Sequence, residues 1–305
     1  MDFGLDGKRA LVTGSTAGIG FATARALAHE GALVFINCRT EARVRDAVGR
    51  INDRAPRPRA QGIAADLGSR EGCHALIGRL PNVDILVNNL GIFEPKPFEQ
   101  ITDEDWLRFF ETNVLSGIRL ARHYVSGMRE RNWGRIVFVS SESALQIPVE
   151  MIHYGMTKTA QLAVARGLAE TLVSTGVTVN SVLPGPTASE GIGDFVSRLA
   201  ADRGIDAATA EREFFETARP SSVLKRFTTP DEVAAMIAYV CSAQASGTTG
   251  AALRWTAASF APSSDRVSNT LRATACSAVE CGSRIAYHRP LVSRLRSQGA
   301  LRRPP

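Results

Sequence analysis

The sequence predicts an α/β fold: a single doubly wound domain with a parallel sheet and helices on both faces, followed by an irregular C-terminal tail. Three observations predict it. Short apolar runs alternate with helix-periodic stretches six times, the pattern of strands buried on both faces by crossover helices. A glycine-rich turn joins the first run to the first helix. Polar residues follow the ends of the apolar runs, where ligands bind in open sheets of this kind.

The first strand is Lys8-Arg9-Ala10-Leu11-Val12-Thr13, and Gly14-Ser15-Thr16-Ala17-Gly18-Ile19-Gly20 follows it. Phe21, Ala24, Leu27 and Ala28 then recur at helical spacing. Glycines let the backbone approach a pyrophosphate closely, and the helix N-terminus offers unpaired N–H groups to it. The alternative is an ordinary flexible loop. The order strand, turn, helix favours a dinucleotide, and with it a Rossmann-type domain. The spacing is G-x-x-x-G-x-G rather than G-x-G-x-x-G.

Ala32 to Asn37 reads as the second strand. An NAD-binding domain usually ends this strand in an acid that holds the ribose 2′-hydroxyl. Here Asn37 is followed by Cys38 and Arg39. An acid would repel a 2′-phosphate, whereas Arg39 could bind one, so NADP is preferred over NAD. Otherwise Arg39 is a solvated loop residue.

A helix through Val44, Ala47, Val48 and Ile51 leads to a third strand, Gln61 to Ala65, ending at Asp66-Leu67. A helix from Cys73 to Leu80 leads to a fourth, Val83 to Val87, ending in Asn88-Asn89-Leu90-Gly91. Thr102 looks like an N-cap with Asp105 as its capping-box acid. That helix is expected to run through Trp106, Phe109, Phe110, Asn113 and Val114 towards Met128. On the residues alone, Asn113 reads as a satisfied core amide. The fifth strand, Arg135 to Ser141, ends in hydroxyls, and the helix of Tyr154 continues through Leu168. The sixth, Val177 to Val182, ends at Leu183-Pro184-Gly185-Pro186-Thr187, whose Thr187 can face a ligand.

Tyr154-Gly155-Met156-Thr157-Lys158 carries the chemistry. Four residues apart on a helix, the phenol and ammonium share a face. A phenol ionises near pH 10, and a nearby cation lowers that value. The pair can serve as a general acid/base, although most such pairs are helix-surface neighbours.

The 305 residues carry 22% charged and 44% apolar side chains, ordinary for a globular chain. No run has the length of a membrane span and the N-terminus has no signal core, so a cytoplasmic protein without a membrane partner is expected. The net charge is +6. Residues 255–305 hold eight Arg, no Lys and two acids; subtracting these from 36 basic and 30 acidic residues leaves 28 of each in 1–254. The neutral body argues against nucleic acid as a partner. The five Cys and five His show no ligand spacing, so no metal is expected.

Thr13-Gly14-x-x-x-Gly18-x-Gly20, Asn88-Asn89-x-Gly91, Asn113, Ser141, Tyr154-x-x-x-Lys158 and Pro184-Gly185-x-Thr187 occur in order and at the right spacings. Together they resemble the short-chain dehydrogenase/reductase family, in its compact branch of about 250 residues, over residues 5–254, and are similar to bacterial 3-oxoacyl-acyl-carrier-protein reductases. The resemblance implies an NADP(H)-dependent oxidoreductase that interconverts a ketone and a secondary alcohol. It implies Tyr154 as general acid/base, Lys158 lowering its pKa and holding the nicotinamide ribose, and Ser141 polarising the carbonyl. It also implies that Asn113 anchors a water that extends a proton relay from Lys158. The implied cofactor contacts are Gly14, Ser15, Thr16, Gly18, Ile19, Gly20, Arg39, Asp66, Leu67, Asn88, Gly91, Tyr154, Lys158, Pro184, Gly185 and Thr187. Residues 188–222 fall where the family carries its substrate lid, and a homo-oligomer, tetramer or dimer, is implied. Leu90 and Ala144 depart mildly from the family pattern. Within the lid, Ile192, Phe195, Val196, Leu199, Phe214 and Phe215 suit a hydrophobic substrate or ordinary lid packing. Two other classes of function compete: a non-catalytic nucleotide-binding regulator or scaffold, and a nucleic-acid binder acting through the tail.

The tail breaks the pattern. Thr249 to Arg254 reads as the last strand, and relatives continue Val-Asp-Gly-Gly where this chain has Trp255-Thr256-Ala257-Ala258. Codons GTG-GAC-GGC-GGC read from their second base give Trp-Thr-Ala-Ala. The hypothesis is that residues 255–305 are frameshift-derived; the rival is an evolved basic, disordered tail. An intact frame in several independent isolates would remove the first.

Overall fold

The structure is a computed structural model that describes residues 2–54, 57–189, 200, 203–220 and 222–255. The lid residues Ile192, Phe195, Val196 and Leu199, and the tail beyond Trp255, lie outside the described residues.

Seven strands, β1 (Arg9–Val12), β2 (Leu33–Cys38), β3 (Ala60–Ala64), β4 (Ile85–Asn88), β5 (Gly134–Val139), β6 (Val177–Pro184) and β7 (Ala252–Trp255), form one sheet in the order β3-β2-β1-β4-β5-β6-β7. Every pairing is parallel. Strand order reverses between β1 and β4, which opens a crevice at the carboxyl ends of the strands. β7 pairs Trp255 with Pro184, one residue past the expected end of the strand.

Alternate strand residues serve opposite faces. Val12, Ile36, Val137 and Val182 enter one core with Leu27 of α1 (Gly18–His29), Ile51 of α2 (Glu41–Asn52) and Ile237 of α8 (Pro230–Cys241). Leu11, Leu86, Ile136 and Val179 enter the other with Leu76 of α3 (Arg70–Arg79), Leu120 of α5 (Ser116–Glu130) and Ala165 of α6 (Ile152–Glu170). The sheet is thus apolar on both faces, which leaves its polar chemistry to the strand ends.

α4 (Asp103–Phe110) starts on the expected capping box: Thr102 accepts from the Asp105 amide, and the Asp105 carboxylate accepts from the Thr102 amide. The helix does not continue regularly to Met128. A π-helical turn, Glu111–Leu115, separates α4 from α5 and contains Asn113. Such widened turns break register within a helix and often mark functional sites. α7 (Ala207–Thr217) carries Phe214 and Phe215, which pack with Phe227 at ring separations of 5.0–5.3 Å. Phe215 is buried in this cluster and Phe214 packs against it partly buried.

Candidate active site

The glycine turn crosses from β1 to α1 at the sheet's switch point. Gly14 and Gly18 take φ of +59° and +54°, which side chains disfavour. A Cβ on Gly20 would meet Asn89 Nδ2 at 2.4 Å and the Gly14 carbonyl at 2.5 Å. Asn89 staples the turn to β4: Nδ2 donates to the Thr13 and Gly14 carbonyls at 2.9 and 3.0 Å. The Thr13 hydroxyl accepts from the Asn89 and Leu90 amides. Ser15 is fully buried; its hydroxyl donates to Val12 O and accepts from Asn37 N, and its own amide donates to Asn37 O. Its polar groups tie the turn to β2. Thr16 is buried, and Ile19 packs partly into the core.

The turn fits an anion on an observation of its own. The N-cap of α1, Ala17, makes no side-chain cap bond, and the first turn holds no acid. The orphan N–H groups and positive dipole end are therefore available to a phosphate. At the end of β2, Asn37 is buried and its amide donates to the Ile63 and Ala65 carbonyls. Arg39 is exposed beyond it.

The other strand ends gather nearby. Asp66 is exposed and accepts from the Gly68 amide, while the Leu67 side chain is core. The buried Asn88 amide has no hydrogen-bond partner among the described residues. A Cβ on Gly91 would lie 3.4 Å from Lys158 Nζ and 3.5 Å from Asn113 Oδ1. Pro184 and Gly185 end β6. Thr187 donates to the Gly185 carbonyl and pairs with the Thr228 hydroxyl at 3.1 Å. A Cβ on Gly18 would sit 3.5 Å from Ser189, so this loop returns to the glycine turn.

Ser141, Tyr154, Lys158 and Asn113 come together where β5, α6 and the π turn meet. Ser141 caps a short 3-10 turn, Glu142–Ala144, accepting from the Ser143 amide at 3.1 Å. Gly155 lets this loop lie on α6: a Cβ there would be 2.7 Å from Ile147 Cγ2 and 3.2 Å from the Ser143 carbonyl. Lys158 is buried and donates to the Val139 carbonyl at 2.9 Å. Asn113 is buried; Oδ1 accepts from Ile92 N at 2.8 Å, and Nδ2 donates to Ile92 O and Thr157 Oγ1 at 3.0 Å.

Tyr154 titrates above its ordinary value: burial raises it most, hydrogen bonding with Ser141 lowers it, and the Glu142 charge raises it. Lys158 Nζ is 5.6 Å from the centre of the Tyr154 ring and turned towards Val139. Burial brings Lys158 itself down to about 8.

Three features escaped the sequence. Gln161, buried beside Lys158, donates through Nε2 to the Asn113 carbonyl at 2.5 Å, and its Oε1 lies 3.5 Å from Lys158 Nζ. Its i+3 spacing from Lys158 amid Ala160, Leu162 and Ala163 was the available signal. Arg219 meets Glu142 across 77 residues. Phe93, Leu145, Ile147 and Val149 are exposed; Phe93 meets the Tyr154 ring edge-on at 6.3 Å and Ile147 lies over Gly155. An open cavity of about 420 Å³ between α1 and α8 contains none of these residues. No described helix is long and apolar enough to cross a membrane.

A parallel sheet with a glycine turn at its switch point, and Ser, Tyr and Lys converging at the next strand ends, defines a nucleotide-dependent oxidoreductase scaffold. The chain belongs to the short-chain dehydrogenase family, whose model matches residues 8–199. It is an NAD(P)-dependent dehydrogenase/reductase acting on CH–OH groups. It is 44% identical over 254 residues to the uncharacterized oxidoreductase YvaG of Bacillus subtilis, covering 83% of this chain and 96% of that one. It is 31% identical to the 3-oxoacyl-acyl-carrier-protein reductase FabG of Aquifex aeolicus, covering 82% and 96%. L-sorbose reductase from Gluconobacter frateurii, solved with NADPH and L-sorbose, superposes with a TM-score of 0.80 at 30% identity, covering 85% and 98%.

Proposed function

We propose that the protein is an NADP(H)-dependent oxidoreductase that interconverts a ketone and a secondary alcohol, with Tyr154 as general acid and base. The observation that carries this is the buried Lys158 ammonium 5.6 Å from the centre of the Tyr154 ring, one turn along α6, with Ser141 just past the end of β5. Gly14 to Gly20 and the uncapped end of α1 would hold the pyrophosphate, and Arg39 the 2′-phosphate. Asp66, Leu67, Asn88, Gly91, Pro184, Gly185 and Thr187 line the rest of the cofactor crevice. When bound, the cofactor supplies or accepts the hydride.

Ser141 donates a hydrogen bond to the substrate oxygen and orients it. Tyr154 gives that oxygen its proton in reduction and takes it back in oxidation. The raised Tyr154 pKa keeps the phenol protonated through neutral pH, which suits the donor role. Lys158 places a positive charge beside the site and would hold the nicotinamide ribose. The apolar rim of Phe93, Leu145, Ile147 and Val149 favours an acyl ketone, such as a 3-oxoacyl thioester, over a sugar. We also propose a cytoplasmic homo-oligomer, a dimer or tetramer, which light scattering tests.

The experiment is NADPH oxidation against a panel containing an acetoacetyl thioester, aryl ketones and ketoses, with Tyr154→Phe as control. Turnover of the thioester that vanishes in the variant is the expected result. Equal activity in the variant overturns the catalytic reading, and ketose preference overturns the substrate class.

A further inference from the structure

We propose that Gln161 is a positioning residue for the general acid/base, its side-chain amide bridging the Lys158 ammonium and the Asn113 carbonyl. The proposal rests on the catalytic reading above for its consequence, but its geometry stands alone. Gln161 follows Lys158 by three residues on α6, so the two share a face. Its side chain is 1% exposed and Lys158 is 4% exposed. A buried amide is costly unless both ends are bonded. Here Nε2 donates to Asn113 O at 2.5 Å, and Oε1 faces Lys158 Nζ at 3.5 Å. The π turn brings the Asn113 carbonyl to α6 at this point.

The family resemblance implies a water between Asn113 and Lys158, able to accept one proton while giving up another. An amide cannot do this: its nitrogen only donates and its oxygen only accepts. Gln161 therefore acts as a fixed dipole, oxygen towards the ammonium. Proton exchange between Lys158 and the Asn113 side does not run through it. The ionisable group facing Lys158 is Tyr154, from the same helix. The other near neighbours, Gly91, Asn113 and the Val139 carbonyl, are neutral. The Val139 carbonyl at 2.9 Å and the Gln161 amide oxygen at 3.5 Å both face the ammonium and favour its charged form, against burial, which holds Lys158 near 8.

The chain has four lysines, at 8, 96, 158 and 225. Protein labelled with carbon-13 at lysine Cε then gives four resolvable signals, and Lys158→Met assigns one. Titrating them measures Lys158 directly, without cofactor or substrate. Gln161→Leu is expected to move its midpoint down by about one pH unit, and Gln161→Glu to move it up by a similar amount. Gln161→Met, with circular dichroism on each variant, covers the case in which Leu fails to fold. A wild-type midpoint in a folded Leu or Met variant overturns the proposal, as does a lowered midpoint in the Glu variant. The outcome is separable from the catalytic reading: an active Tyr154→Phe protein sinks that reading and leaves the Lys158 titration to judge Gln161.

Discussion

Arg219, beyond the end of α7, reaches Glu142 beside Ser141: Nε meets Oε1 at 3.3 Å, with side chains 17% and 11% exposed. This ion pair ties the segment after α7 to the loop that presents the Ser141 hydroxyl. It also brings a countercharge to the carboxylate that raises the Tyr154 pKa. Removing one partner of a buried pair costs more than removing both. Arg219→Met should therefore lower thermal stability more than Arg219→Met with Glu142→Gln. A double-mutant cycle on melting curves should return a coupling of about 0.5–3 kcal/mol; additive effects would show that the pair is incidental.

Gly155 is a packing requirement of the site. A methyl at that position would press on Ile147 and the Ser143 carbonyl. Gly155→Ala should cost about 1–3 kcal/mol and reduce turnover by displacing Ser141. Adding Ile147→Ala removes the nearer clash and should restore part of both. Chemical denaturation and steady-state rates on the two variants check this.

His153 sets a limit at low pH. Its ring is buried, neither nitrogen has a hydrogen-bond partner among the described residues, and it packs on Phe109 with centroids 4.0 Å apart. Burial lowers its pKa from 6.5; Asp105 and Glu94 push it up, and Arg108 and Lys96 push it down. The unfolded chain takes up the proton first as pH falls. The stability due to neutral His153 is thus complete above about 6.5 and declines below it, towards the depressed folded value. His153→Phe should flatten the melting temperature between pH 7 and 5, as calorimetry across that window would show.

Much of this was legible before any coordinates. Apolar runs mark each strand because both faces of the sheet are covered. The capping box at Thr102 and Asp105 is local chemistry and reads directly. The strand-end convergence follows from parallel topology, which brings Gly91 beside Lys158. What stayed hidden is non-local or a matter of orientation. The π turn at Asn113 changes helical register without changing the apolar pattern. Asn37 points into β3, and Ser15 spends its hydroxyl on β2. The ammonium of Lys158 turns to Val139 rather than to the phenol. Motif spacing places a side chain on a face but does not say which neighbour it bonds.

Trp255 closes the described domain: its carbonyl accepts from the Gly185 amide at 3.2 Å. We therefore propose that truncation after Trp255 leaves folding and NADPH binding intact, whereas truncation before Ala252 removes an edge strand and lowers both. Fluorescence titration with NADPH and melting curves on the two truncated chains decide.

The central claim is that Tyr154 transfers the proton. Single-turnover NADPH oxidation with a ketone that the wild type reduces tests it most directly, comparing wild type with Tyr154→Phe after NADPH affinity has been matched by titration. Loss of the Tyr154 proton donor should lower the rate by about 100- to 10,000-fold with cofactor affinity unchanged. A variant that oxidises NADPH at the wild-type rate would contradict it.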